Sequence, residues 1–210
     1  MIVLLRDSAS QSNAARLESK IARESFKRLK VNTHYLQSVD STQNYAATEL
    51  KSEREGDFVV SEVQTLGKGR QGRSWVSQIG GLWMTIVLLP PSARVLEKLV
   101  YVGANAIVNA LGEYGVVSSI KPPNDVYCNG KKIAGILADT TIQGDSTVVY
   151  LGLGVNLNND TSKDSSIAEI ATSLSKIIAR QVDLTEFTVT LLRNLDQLYF
   201  DEIEAQISHN

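Results

Sequence analysis

The chain has 210 residues, of which 43% are hydrophobic and 21% are charged, and its formal net charge is −2. This composition is ordinary for a globular protein with a sizeable core, and the charge argues against general binding of nucleic acid. Because the single cysteine, Cys128, excludes an internal disulfide and no apolar run approaches the roughly 18 residues of a membrane span, we expect a cytoplasmic protein without a membrane partner.

The first 33 residues are predicted to form a basic helical extension. Seven Lys and Arg residues stand there against three acidic ones, and Leu17, Ile21 and Leu29 recur at helical spacing. The pattern predicts one amphipathic helix from about residue 13 to residue 30. Such a helix can bind an anionic surface, but a solvated helix packed on the main body is the more common case.

From residue 35 onward the sequence is typical of one α/β body. A helix is predicted to begin near Ser41, since residues 40–42 are good N-cap types, another after Pro91, and two more at the end, the last beginning at Asp183. Strands are predicted over 58–63, 82–90, 118–123, 132–142 and 147–158, with turns at 129–132 and 143–146. Because helices and strands do not alternate regularly, we predict an α+β fold whose mixed, largely antiparallel sheet has helices against one face.

The segment GKGRQGRSW (67–75) is the first candidate binding motif. Lys68, Arg70 and Arg73 repel one another unless an anion lies among them, and the glycines let the backbone wrap closely round a ligand. Trp75 adds a flat apolar face for a ring. The segment matches neither a Walker A loop nor G-x-G-x-x-G. It indicates a carboxylate or phosphate site, with a basic surface loop or an RNA-binding patch as the alternative.

A second candidate is KPPNDVYCNGKKIAGIL (121–137), where Lys121, Asn124, Asp125 and Lys132 cluster around a strand hairpin. A carboxylate with two nearby lysines suits a nucleoside triphosphate, because Asp125 can hold a metal ion while a lysine neutralises phosphate charge. The alternative is a turn surrounded by surface lysines.

Short polar side chains form a third candidate. Ser41, Thr42 and Gln64 lie where a helix begins and a strand ends, so they can line a pocket and bind a neutral polar ring. Asn156, in GLGVNLN (152–158), can contact a purine edge. Helix capping and strand-ending turns are the alternatives.

In order and spacing, these segments resemble the catalytic domain of biotin protein ligases. That family shows an [ST]-T-N/Q start, a G-R-G-R-x-G-R-x-W loop, K-W-P-N-D before K-x-A-G-I-L, and G-I-G-I-N-x-N. The corresponding segments here are STQ (41–43), GKGRQGRSW (67–75), KPPND (121–125), KIAGIL (132–137), GLGVNLN (152–158) and, for a further element, ATSL (171–174). The resemblance spans roughly residues 35–205. Lys68 and Pro122 depart from the pattern, replacing an arginine and a tryptophan.

The resemblance implies a catalytic domain over residues 34–210, with a fold like that of class II aminoacyl-tRNA synthetases and biotin ligases and without a small C-terminal β domain. It implies ATP-dependent biotinylation of a lysine of a biotin carboxyl carrier protein through biotinyl-5′-AMP, with biotin, ATP and Mg²⁺ as ligands. Exposed strand edges allow a homodimer. The alternatives are a lipoate or octanoate ligase, whose R-R-x-S-G-G-G element is not found, and a non-catalytic biotin-binding regulator.

The site residues that the resemblance implies fall into three groups. Those expected at the ureido ring of biotin are Ser41, Thr42, Gln43 and Gln64. Those expected at the biotin carboxylate and the phosphates are Gly67, Lys68, Gly69, Arg70, Arg73 and Lys132. Those expected at the adenine, the nucleotide and its magnesium ion are Trp75, Asn124, Asp125 and Asn156, while Gly135 lets the ligand approach its strand. The predicted catalytic residues are Lys132, Arg70 and Asp125, and Asp125 is also the predicted metal ligand.

Overall fold

The computed structural model describes residues 8–50, 54–92, 95–143 and 146–207. In these ranges the strands are β1 (Asn32–Val39), β2 (Asp57–Gln64), β3 (Leu82–Leu88), β4 (Ser119–Lys121), β5 (Asp125–Cys128), β6 (Lys131–Gln143) and β7 (Ser146–Val155). The α-helices are α1 (Ser8–Ile21), α2 (Thr42–Glu49), α3 (Leu96–Glu113), α4 (Leu174–Ile178) and α5 (Leu184–Ile207). None of these helices is both long and apolar enough to cross a membrane.

The strands form one mixed sheet in the order β1-β2-β3-β7-β6-β5-β4. The pair β1 and β2 is parallel, and every other neighbouring pair is antiparallel. The predicted α+β fold with a largely antiparallel sheet is therefore confirmed. The strand β1 was not predicted, because its sequence NTHYLQSV shows no clean alternation of apolar and polar residues. In the structure most of its residues are half-buried.

The helices lie on both faces of the sheet, so the prediction that they pack against one face is wrong. One face carries Phe58 and Leu151 and is covered by α1, α3 and α5. The other face carries Val59 and Val87, which pack with Ala46 of α2. Successive residues of a strand point to opposite faces, so both faces of β2, β3 and β7 require apolar cover. The short α2 covers only part of its face, and the remainder is open to form a site.

The N-terminal helix ends earlier than predicted. Helix α1 spans Ser8–Ile21 rather than residues 13–30. The backbone N–H groups of residues 27–29 donate to the carboxylate of Asp196 in α5 instead of to carbonyls four residues back, which a helix would require. Leu29 is buried in the core shared by the sheet, α3 and α5. The boundary predicted at residue 33 falls inside β1.

We expect Asp196→Ala to lower the free energy of unfolding by about 3 kcal/mol. The buried carboxylate accepts the N–H groups of Lys27, Arg28 and Leu29, and the substitution would leave these donors without their acceptor. Urea denaturation measures the change. Asp196→Asn keeps one carbonyl oxygen and should lose less. Equal stability of Asp196→Ala and the unsubstituted protein would show that these three bonds do not hold the segment.

Two predicted boundaries are confirmed. Asn129 and Gly130 adopt left-handed φ values of 50° and 76°, as a tight hairpin turn between β5 and β6 requires. Asp183 Oδ1 accepts the N–H groups of Thr185 and Glu186 at 3.0 and 3.3 Å, so it caps α5 at the predicted residue. The turn predicted at 143–146 lies partly outside the described residues.

Candidate active site

A cavity of about 250 Å³ opens on the face of the sheet that carries α2. Glycines of two neighbouring strands form its floor, since Gly135 of β6 pairs with Gly154 of β7 and Gly152 lies two residues earlier on β7. A Cβ atom would lie 2.6 Å from Gln43 Oε1 at residue 152 and 2.7 Å from Trp75 Nε1 at residue 154. Both distances are shorter than any real contact, so the close approach of these side chains requires glycine.

Neutral polar side chains form a network on the β2 side of the cavity. Gln64 Oε1 accepts the backbone N–H of Thr42 at 2.8 Å and lies 3.0 Å from Thr42 Oγ1. Thr42 Oγ1 is 2.9 Å from Thr85 Oγ1, which is 2.7 Å from Gln43 Oε1. Gln43 Nε2 donates to the carbonyl oxygen of Tyr150 at 3.0 Å. Thr42, Gln43 and Gln64 are predicted site residues, whereas the sequence analysis missed Thr85 and the Tyr150 carbonyl.

This network lacks one proton. The Thr42 N–H fixes Gln64 with its oxygen towards the threonines, and the Tyr150 carbonyl fixes the orientation of the Gln43 amide. Three oxygen–oxygen contacts therefore share the two hydroxyl protons of Thr42 and Thr85. A ligand N–H that donates to one of these oxygens would supply the missing donor.

Ser41 adds a hydroxyl to the same wall of the cavity. It occupies the N-cap position of α2, as predicted, but makes no side-chain capping bond, and its buried Oγ has no hydrogen-bond partner among the described residues. The neighbouring Asp40 accepts the Ser41 N–H and the Asn44 side chain instead. Partial burial acts to raise the pKa of the Asp40 carboxyl, but these hydrogen bonds outweigh it and the pKa lies below its usual value. The Ser41 hydroxyl therefore remains available to a ligand.

Cationic side chains line the β6 side of the cavity. Lys132 Nζ lies 2.6 Å from Asp125 Oδ1 and 4.9 Å from the centre of the Trp75 ring. Arg70 Nη1 donates to Asn124 Oδ1 at 3.1 Å. Because Asn124 and Asp125 are adjacent in β5 and its preceding turn, Arg70 and Lys132 come to the same wall. Four cations and one carboxylate line the described cavity, so it favours an anionic ligand.

Residues 67–75, here called the flap, form a narrow hairpin that closes with Gly69 N–H donating to Arg73 O and Trp75 N–H donating to Gly67 O. Its tip is a short 3₁₀ turn that contains left-handed Gln71. The Arg73 Nε atom donates to the carbonyl of Arg70 at 3.2 Å. The flap therefore presents its cations from a defined turn.

The cavity brings together nearly all the predicted site residues. Those that line it are Ser41, Thr42, Gln43, Gln64, Lys68, Gly69, Arg70, Arg73, Trp75, Asn124, Asp125, Lys132, Gly135 and Asn156. Gly67 does not line it, and a Cβ there would lie 2.4 Å from Trp75 O, so this glycine closes the base of the flap. Lys121 does not line it either, and its Nζ lies 4.9 Å from the Tyr127 ring. The roles of the lining residues towards biotin and ATP stay predictions.

The lining also includes residues that sequence reasoning missed, among them Trp83, Thr85, Leu137, Gly152, Gly154, Ile167 and Ile170. A signal existed for Thr85, the only hydroxyl residue in the apolar run 82–90, and for the alternating glycines of GLGVNLN. No periodic pattern marks the two isoleucines.

The segment 170–174 holds the β6 and β7 ends of the site in place. Lys132 N–H donates to Ile170 O, and Lys132 O accepts Thr172 N–H, so both backbone groups of the site lysine are fixed. Leu174 N–H donates to the carbonyl of Asn156. The Asn156 side-chain oxygen accepts Asn159 Nδ2 at 2.9 Å, which fixes its amide at the end of β7.

The donors at the cavity do not form a magnesium site by themselves. Among the described residues, no group of three or more His, Cys, Asp or Glu side chains could hold a metal ion. Asp125 is the one carboxylate lining the described cavity, and Lys132 already pairs with it. Magnesium commonly keeps several water ligands and binds through one carboxylate plus substrate phosphates. Asp125 would therefore need further ligands, such as phosphate oxygens and water, to hold a magnesium ion.

A family model described as the biotin/lipoate A/B protein ligase family matches residues 35–156. The chain belongs to this family. The bifunctional ligase/repressor BirA of Bacillus subtilis is 34% identical over 174 residues, covering 80% of this chain and 53% of that protein. The biotin–[acetyl-CoA-carboxylase] ligase of Paracoccus denitrificans is 40% identical over 128 residues, covering 58% of this chain and 53% of that protein.

Solved structures agree with the family assignment. The biotin protein ligase of Aquifex aeolicus in complex with biotin and ATP superimposes with a TM-score of 0.72 at 32% identity, covering 82% of this chain and 72% of that one. The chain spans about half the length of the curated relatives named above. The suspected relationship to biotin protein ligases is confirmed.

Proposed function

We propose that the protein is an ATP-dependent biotin ligase. It joins the carboxylate of biotin to AMP and then transfers the biotinyl group to a lysine of a biotin carboxyl carrier protein. One observation carries the proposal. A cavity with a glycine floor has, on one side, neutral hydrogen-bonding side chains that lack one proton and, on the other side, a cluster of cations. Biotin has the complementary shape, with a cyclic urea at one end and a carboxylate at the other.

The urea end explains the choice of biotin over lipoate or octanoate. A urea carbonyl can accept the otherwise unpartnered Ser41 hydroxyl, and a urea N–H can supply the proton that the contacts between Thr42, Gln64 and Thr85 lack. The dithiolane of lipoate and the alkyl chain of octanoate carry neither a carbonyl nor an N–H group, so the Ser41 hydroxyl would stay unpartnered and three oxygen–oxygen contacts would still share two protons. Sites built to hydrogen-bond a substrate discriminate strongly against analogues that lack the group.

The cationic end suits formation of a mixed anhydride. The biotin carboxylate attacks the α-phosphorus of ATP, the bond to the β-phosphate oxygen breaks, and pyrophosphate leaves. Two anions must meet, so Lys132 and Arg70 would hold the carboxylate and the α-phosphate while Lys68 and Arg73 would neutralise the phosphates that leave. Magnesium would enter with ATP and take Asp125 as a protein ligand. Trp75 and Asn156 would border the adenine.

Transfer then needs only an amine. The ε-amine of the acceptor lysine attacks the carbonyl carbon of biotinyl-AMP, AMP leaves, and the amine loses its extra proton. Asp125 Oδ1 lies 2.6 Å from Lys132 Nζ, so it positions the Lys132 ammonium group. The same carboxylate can accept the proton that the acceptor amine loses. No covalent bond to the protein is required.

The setting of the reaction also belongs to this proposal. ATP is available in the cytoplasm, and the buried Cys128 thiol needs no oxidising compartment. A homodimer could form along an edge of the sheet, where β1 and β4 each have one neighbour among the described strands. The proposed catalytic domain includes the whole of β1, so it begins before the predicted residue 34.

The test is the adenylation half-reaction. Incubation with biotin and ATP labelled at the α-phosphate should give labelled biotinyl-AMP, and lipoate or octanoate in place of biotin should give none. A labelled adduct with lipoate but not biotin would make the protein a lipoate ligase. Biotin binding without any adduct would make it a non-catalytic biotin-binding protein.

We expect Thr85→Val to raise the KM for biotin roughly tenfold with little change in kcat, because it removes a hydroxyl that orders the Gln43 carbonyl and the Thr42 hydroxyl. Pyrophosphate release measures both constants. Thr85→Ser keeps the hydroxyl and serves as the matched control, with a KM near that of the unsubstituted protein. An unchanged KM in Thr85→Val would remove this hydroxyl from biotin recognition.

A further inference from the structure

Strands β4 and β5 leave one face of the sheet open beside the cavity. On the other face, Val126 and Cys128 are buried in the core against α3, and Ile120 packs on the same core. On the open face, Ser119 and Lys121 of β4 are exposed and Tyr127 of β5 is half-buried. These three residues are here called the ledge.

The sheet register makes the ledge continuous with the cavity floor. Lys121 pairs with Asp125, Asp125 pairs with Gly135, and Gly135 pairs with Gly154, so these four residues lie in one cross-strand row. Directly paired residues point to the same face of a sheet. Two strand spacings separate Lys121 from Gly135, which is about 10 Å. A molecule resting on the ledge therefore borders Lys132 and Asp125 without entering the cavity.

The ledge has the chemistry of a protein-docking surface. Lys121 lies 4.9 Å from the Tyr127 ring, which combines a cation with an aromatic surface, and tyrosine is enriched at the centres of interfaces. Val117, two residues before β4, is 90% exposed. The flap adds the exposed cation Arg70, which contacts Asn124 between β4 and β5. Lys132 pairs with Asp125, the acidic residue next to Lys121, so the cations Lys121 and Arg70 complement a partner with an acidic surface.

We propose that the ledge is the docking surface for the folded acceptor domain, which rests an acidic and apolar patch on Lys121 and Tyr127 while its lysine reaches the acyl-adenylate beside Lys132. This inference rests on the proposed function, because it concerns the second half of the same reaction. It assigns Lys121 to acceptor binding and not to ATP, which agrees with its absence from the cavity lining.

The experiment separates docking from chemistry by offering two acceptors. Protein carrying preformed biotinyl-AMP is mixed either with a biotin carboxyl carrier domain that the unsubstituted protein biotinylates, or with hydroxylamine, which attacks the same carbonyl and releases AMP. We expect Lys121→Glu to lower kcat/KM for the carrier domain roughly tenfold, through KM, and to leave adenylation and hydroxamate formation unchanged. Tyr127→Ser should act in the same direction.

Lys30→Glu is the matched control. It makes the same charge change at an exposed lysine that precedes β1, the strand at the opposite edge of the sheet, and should leave carrier transfer unchanged. Raising the salt concentration should slow carrier transfer in the unsubstituted protein and have less effect in Lys121→Glu.

Three results would overturn the docking inference. Normal carrier transfer in Lys121→Glu would show that the acceptor does not use the ledge. An equal loss with hydroxylamine would show that Lys121 acts on the adenylate. Failure of the unsubstituted protein to make biotinyl-AMP would instead refute the proposed function, and the docking inference with it.

Discussion

Lys132→Ala is expected to slow formation of biotinyl-AMP roughly 10³-fold. The ammonium group is the charge that the structure holds most firmly at the cationic wall, between Asp125 Oδ1 at 2.6 Å and the Trp75 ring at 4.9 Å. The backbone of Lys132 is also bonded on both sides to the segment 170–174. Its loss would leave the biotin carboxylate and the α-phosphate to repel each other. Rapid-quench assays with labelled ATP measure the rate.

Two controls distinguish charge from geometry. Lys132→Arg keeps the charge but places a planar guanidinium where a compact ammonium fits beside Trp75, so we expect an intermediate rate. Lys98→Ala removes a lysine of α3 that pairs with Glu202 on the opposite face of the sheet, and should adenylate normally. A Lys132→Ala variant that keeps its full rate would remove this residue from the chemistry.

Gly152→Ala is expected to lower kcat/KM for biotin roughly 10²-fold while leaving the protein folded. Its methyl group would lie 2.6 Å from Gln43 Oε1 and 3.3 Å from Leu137 O. The Gln43 amide is buried and bonded to Thr85 and to the Tyr150 carbonyl, so its displacement would disturb the whole network. Circular dichroism and pyrophosphate release test folding and activity on the same samples.

Gly112→Ala is the matched control for this substitution. Gly112 lies in α3, and a Cβ there meets nothing within 4 Å. Its activity should equal that of the unsubstituted protein, and its free energy of unfolding should rise by about 0.5–1 kcal/mol, since alanine favours a helix over glycine. Equal biotin kinetics in Gly152→Ala and Gly112→Ala would mean that the glycine floor does not border the ligand.

The sequence could predict those parts of the site that lie on local motifs. Three such motifs are the charged flap, the Asn-Asp pair before β6 and the polar start of α2. Each lies within a short segment, so its residue types alone indicate what it can bind. Their convergence depends on sheet order, which places β2 and β6 on opposite sides of β3 and β7. Composition and spacing alone do not specify that order, and only the resemblance to a known family implied it.

The misses have long-range causes. Residues 22–30 have helical periodicity, but the carboxylate of Asp196, about 170 residues later in the chain, accepts the N–H groups of residues 27–29, so this part of the segment is not helical. Thr85 has the setting of a buried strand residue, and its partners Thr42 and Gln43 belong to another element. The short helix α2 lies on the opposite face from the long helices α1, α3 and α5, because it covers Val59 and Val87. No local sequence pattern shows that these two valines face away from the main core.

The contacts between α1 and α5 affect how the chain folds during translation. Arg16 and Lys20 pair with Asp183 and Glu186, and Asp196 holds the segment that follows α1, so α1 packs on a helix that is made much later, since Asp183 lies 167 positions after Arg16. Until α5 leaves the ribosome, the part of α1 that packs on α5 has no cover. Folding intermediates that expose such surfaces aggregate readily. The nascent chain should therefore depend on chaperones until α5 emerges.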